Sequence, residues 1–96
     1  MTLAELRSTT AEHLDGLLLA LWWDEKGDWS RAHEIARDVA GRDGAWVHAY
    51  LHRKEGDLGN AAYWYARAGR PVEKGGLSAE WERIAIELLG EKLVQE

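Results

Sequence analysis

Apolar residues recur along this chain every three or four positions, and glycines break the pattern at regular points. Leu14, Leu17, Leu18, Leu21 and Trp22 form the first stripe, which runs up to Gly27, the spacing of a helix with one buried face. Thr9-Thr10-Ala11-Glu12 before it has capping-box form, with a Thr followed three residues later by Glu. Ala32, Ile35, Ala36 and Val39 predict a second helix over about 29–40, and Gly41-Arg42-Asp43-Gly44 reads as a turn. A third helix is expected over 45–55, presenting Trp46, Ala49, Tyr50 and the stem of Arg53 on one side. A fourth then runs to Ala68 before Gly69-Arg70-Pro71. After a looser loop, Ser78 is placed to cap a last helix carrying the stripe Trp81, Ile84, Ala85 and Leu88. Glu80 and Glu82 fall in its first turn, where the helix dipole favours anions. Residues 3–8 can be a short helix or a loop, and the tail from Gly90 is expected to fray.

The first four helices are two copies of one unit. Lys26-Gly27-Asp28-Trp29-Ser30-Arg31-Ala32 aligns with Glu55-Gly56-Asp57-Leu58-Gly59-Asn60-Ala61 at a shift of 29 residues. Ala20 then falls over Ala49, and Ala36 over Tyr65. In both copies glycine ends one helix and aspartate caps the next. The expected fold is all-α and a single domain: hairpin one over 14–41, hairpin two over 45–69, and a capping helix over 78–90. Alanines at 32, 36, 49, 61 and 68 would let these helices approach closely.

Ala49, Gly56-Asp57, Ala61, Tyr65, Ala68 and Pro71, in that order, resemble the tetratricopeptide and Sel1-like helical repeats. The run 61–68 looks like the second helix of a Sel1-like unit, while Ala20, Gly27-Asp28, Ala32 and Ala36 make a weaker match. The resemblance covers about residues 14–71 and implies a module that holds a protein or peptide partner. The departure is the period, since tetratricopeptide units repeat every ~34 residues. Residues 48–71 are also similar to a run in short bacterial and fungal proteins of unassigned function, which implies a fold and no activity.

Composition narrows the classes. The chain has 96 residues, six tryptophans, no phenylalanine and no cysteine. An indole-rich core is expected, with neither disulfides nor thiolate metal sites, which suits a reducing cytoplasm. The net charge of -5 argues against nucleic-acid binding. Arg53, Lys54, Arg67, Arg70 and Lys74 make only a mild basic patch. Residues 17–23 are apolar but far short of the ~20 needed to span a bilayer. Glu5, Arg7, Glu12 and Asp15 interrupt any signal-peptide pattern.

Candidate chemistry gathers on two helices. His48 and His52 lie one helical turn apart, the spacing that presents two imidazoles to one metal, and His33 is available as a third ligand with Glu34 or Glu55. No HExxH motif is present, so a structural role for the histidines is the default, and no metal or cofactor is assigned. Pairing His33 or His52 with Glu34 or Glu55 for acid–base chemistry would need a closed pocket. Tyr63-Trp64-Tyr65 spreads around a helix, so Tyr65 is expected in the core and Trp64 beneath the last helix near Trp81. Tyr63 is left on a flank, one turn from Arg67, either as part of an interface or merely covering the third helix. Trp22 and Trp23 cannot both face the second helix, so an open face there is a surface for a homodimer. The function expected is a non-catalytic interaction module docking a partner on His33, His48, His52, Tyr63 and Arg67. The alternative is a small-molecule- or metal-binding protein, or a minor enzyme, built on the His33/His48/His52 cluster.

Overall fold

A computed structural model of the chain describes residues 1–94. It contains α1 (Leu3–Ser8), a 3-10 turn (Ala11–His13), α2 (Gly16–Glu25), α3 (Trp29–Arg37), α4 (Arg42–Glu55), α5 (Leu58–Ala68) and α6 (Leu77–Val94). No strand occurs among the described residues, and none of their helices is long and apolar enough to cross a membrane.

The two glycine–aspartate turns are the same structure. Gly27 and Gly56 both have φ of 92°, a left-handed conformation open to glycine and costly for other residues. Asp28 N–H donates to the Trp23 carbonyl and Asp57 N–H to the His52 carbonyl, closing each helix end in the same way. Each aspartate side chain then accepts from the backbone three residues on, at Arg31 and Asn60. Antiparallel neighbours α2–α3 and α4–α5 follow, with α3 packed on α4. Ala20, Ala32, Ala36, Ala49, Ala61 and Ala68 are all buried, and the pairs Ala20/Ala49 and Ala32/Ala61 put small side chains at the same places in both copies.

The first expected helix starts later than its apparent capping box. Thr9 instead ends α1, and its carbonyl accepts the Trp22 indole N–H at 3.0 Å. Thr10 makes no side-chain cap, and the next residues form only a 3-10 turn before α2 opens at Gly16. The working capping box is Thr2 with Glu5, which starts α1. Leu6 of α1 is fully buried and α1 packs on α2. Trp22 and Trp23 are both half-buried, with Lys26 over one ring and Arg31 over the other.

The turn expected at 41–44 lies three residues earlier, over 38–41. α3 stops at Arg37, and α4 begins at Arg42 with Gly41 (φ 96°) as its N-cap. Gly44 therefore lies inside α4, where a Cβ would run into the Val39 carbonyl. The short period comes from this four-residue link and from the nine-residue α3.

α6 does not close the outer side of the second hairpin. It lies against α4, α2 and α1, the first helices of both hairpins and the N-terminal helix. Trp81 donates its indole N–H to the Leu21 carbonyl, and Ile84 and Ala85 are fully buried. Glu80 lies in the first turn as expected, but it is completely buried and accepts from Tyr65 Oη (2.6 Å), Arg53 Nε (3.1 Å) and Trp46 Nε1 (3.2 Å). Helix α6 also continues through Val94 rather than fraying at Gly90, and residues 95–96 lie outside the described residues.

Two outcomes follow for stability. Ala49→Leu should overpack the centre of the hairpins and cost about 1–3 kcal/mol in chemical denaturation. Glu80→Ala leaves the Arg53 guanidinium without its buried carboxylate, and should cost about 3–5 kcal/mol.

Candidate functional site: a histidine cluster beside an arginine-lined cleft

Helix α4 is enclosed by α3, α5 and α6, so even its polar residues His48 and His52 are buried. Their one-turn spacing stacks the two imidazoles, with centroids 4.7 Å apart and planes 28° from parallel. His33 on α3 meets both edge-on, at 4.8 Å from His48 and 5.1 Å from His52. Its Nε2 lies 3.0 Å from His48 Nε2, a hydrogen bond in which one ring must donate and the other accept. His52 Nδ1 lies 2.6 Å from Glu55 Oε2.

Two indoles close the cluster. Trp29 stacks on His33 at 4.9 Å, one helical turn away on α3, and Trp64 stacks on His48 at 4.0 Å. Trp64 therefore belongs to this site and not to the underside of α6, where Trp81 sits instead on α2. The reason is geometric: α6 crosses α4 and α2, leaving the Trp64 side of α5 to pack on α4. Trp29 is not among the residues expected at the site, although its place one turn before His33 is a signal that marks it; Trp64 needs the crossing direction of α6.

The surroundings favour the neutral form of His33 and His48. Burial holds the His48 pKa down to about 4, with repulsion from His52, His33 and Arg37 adding to the effect. His33 is lowered in the same sense, chiefly by burial and then by His52. General-base chemistry near neutrality is ill served by a ring held that low.

Beside His48 the surface opens into a cleft of about 510 Å³ between the α3–α4 link and α5. Arg37, Arg42 and Arg67 line it together with Trp64 and His48. Among the described residues Arg42 has no ion pair, Arg37 meets only Asp38 at 4.0 Å, and Arg67 donates to Tyr63 Oη at 3.3 Å. Arg67 also lies over the rings of Tyr63 and Trp64, at 5.7 and 5.4 Å. Tyr63 is exposed, and Tyr65 is buried as expected. The structure thus gathers His33, His48 and His52 in one cluster and sets Tyr63 and Arg67 on the neighbouring flank. Nothing in the spacing of Arg37 and Arg42 marks them as site residues; only folding brings them to one cleft with Arg67.

No family model, curated protein or solved structure matches the chain.

The lowered His48 pKa makes stability pH-dependent with a definite sign. His48 titrates near its ordinary 6.5 when unfolded and near 4 when folded, so the unfolded chain binds the extra proton. Its contribution is complete above about pH 6.5 and is lost as pH falls toward 4. Denaturation of the metal-free protein should show that loss, and His48→Phe should flatten the profile across this window.

Proposed function

We propose that the protein is a non-catalytic binding module that holds an acidic segment of a protein partner in the cleft between the α3–α4 link and α5. The observation that supports it is the concentration of Arg37, Arg42 and Arg67 on one hollow, with the 4.0 Å approach of Asp38 to Arg37 the only ion pair these three make among the described residues, in a chain of net charge -5. Guanidinium groups with free donors match carboxylates geometrically as well as electrostatically. The uncapped N-terminus of α4, where Gly41 has no side chain to offer, adds backbone N–H donors of the same sign. Trp64 and exposed Tyr63 supply the aromatic floor and rim on which partner side chains pack.

The likeness to tetratricopeptide and Sel1-like repeats supports the same reading, because such hairpins display binding surfaces rather than reactive groups. In this chain α6 packs on the first helices of both hairpins, while the cleft between the α3–α4 link and α5 stays open, which supports a partner there. A cytoplasmic setting suits a chain without cysteine.

Because His48 and His52 are buried, substituting them tests the core as much as the surface. The informative positions are Arg42, Arg67 and Tyr63, all exposed. Fluorescence polarisation with a labelled Asp/Glu-rich peptide should show binding that weakens with salt. The Asn/Gln version of the peptide should bind at least ~10-fold more weakly, equivalent to about 1.4 kcal/mol. Arg42→Ala and Arg67→Ala should each weaken the acidic peptide with the melting temperature near wild type. Equal binding of the neutral peptide, or indifference to both arginine changes, would reject the proposal.

A further inference from the structure

We infer that His33, His48 and His52 form a three-imidazole site for a divalent transition-metal ion, with Zn2+ the leading candidate. One nitrogen from each ring lies within 4.8 Å of the others. Zn–N bonds of ~2.0–2.1 Å place tetrahedral ligand nitrogens about 3.3 Å apart. The His33 and His48 Nε2 atoms, at 3.0 Å, already have nearly that separation. The remaining approach is within reach of small ring rotations.

The chemistry of the donor set selects the ion. Three neutral imidazoles without thiolates suit Zn2+, Co2+, Ni2+ or Cu2+, whereas Mg2+ and Ca2+ require oxygen ligands. Three protein ligands leave a fourth position for water or an added ligand.

The surroundings carry the second half of the argument. Glu55 engages His52 Nδ1 at 2.6 Å, the carboxylate–histidine contact that sets a ligand's tautomer and leaves Nε2 with its lone pair. Trp29 and Trp64 hold the His33 and His48 rings by stacking, so little ordering remains for the ion to impose. At His33, Glu34 and Glu55 oppose the field of Arg37. In the metal-free pair one Nε2 carries the shared proton. On coordination that proton moves to Nδ1 of the same ring, so both imidazoles remain neutral and the site keeps the ion's full charge. Glu55 acts as a positioning residue.

The test uses the full untagged chain, stripped with EDTA and titrated with Zn2+ against a chromophoric chelator and, separately, with Co2+ by visible absorption. One equivalent should bind, and Co2+ should give the intense d–d bands of a tetrahedral site. His33→Ala, the least buried of the three positions, should weaken Zn2+ by at least 100-fold. Glu55→Gln should weaken it ~10–100-fold while keeping the Co2+ spectrum. His13→Gln, at an exposed histidine outside the cluster, should change nothing. Long-range 1H–15N spectra of the wild type give a readout that needs no variant: imidazole nitrogens of His33, His48 and His52 should all shift with one equivalent of Zn2+. Absence of Co2+ bands, binding unaffected by His33→Ala, or shifts confined to one ring would overturn the assignment. Peptide binding in the arginine cleft is measured in EDTA, so either result stands without the other.

Discussion

The carboxylate of Glu80 ties the second hairpin to the last helix. A carboxylate taken wholly out of water is tolerable only when its lone pairs are filled. Glu80 fills them from two other helices: Trp46 and Arg53 on α4, and Tyr65 on α5. Three donors of fixed reach leave α6 one position along α4. A second buried acid does similar work on the other hairpin, where Asp24 of α2 accepts from Tyr50 Oη and Lys54 Nζ of α4. Both networks converge on α4, and apolar contacts alone would tolerate more sliding than these bonds do.

Because α6 is held across the first helices of both hairpins, the side those helices would otherwise present is filled by the chain itself. The apolar stripe Trp81, Ile84, Ala85 and Leu88 provides the burial, and the Trp81 bond to the Leu21 carbonyl fixes the depth. The arginine-lined cleft lies elsewhere, where α3 turns into α4 and α5 returns. There Gly44 permits the Val39 carbonyl to approach the helix closely, which forms one wall of the arginine-lined cleft.

The histidine cluster is polar matter placed where the packing would accept leucine. His48 and His52 are each 7% exposed, and their rings contact one another, His33 and two indoles. Keeping three imidazoles together costs protonation of at least one of them, and a function that uses neutral imidazole nitrogens gives that cost a purpose. The cluster and the cleft share His48 and Trp64, so an ion in one and an anionic segment in the other would favour each other electrostatically.

Periodicity and turn chemistry determined the hairpins. Gly27-Asp28 and Gly56-Asp57 specify local backbone conformations that require no tertiary help, and the alanines at 32, 36, 49, 61 and 68 follow from the same repeat. One-turn spacing was likewise enough to place His48 beside His52. The start of α2, the path of α6, the burial of Glu80 and the stacking of Trp64 on His48 were beyond that reach. Thr9-Thr10-Ala11-Glu12 satisfies a local capping rule, but Thr9 is spent on ending α1 and receiving Trp22. An amphipathic helix announces that it must be covered, not by what, and Glu80 reads as a solvated acid until Trp46, Arg53 and Tyr65 converge on it from 15 to 34 residues away. Local rules act over one or two turns of chain, while the choice among surfaces of similar apolarity depends on long-range partners that only the folded chain brings together.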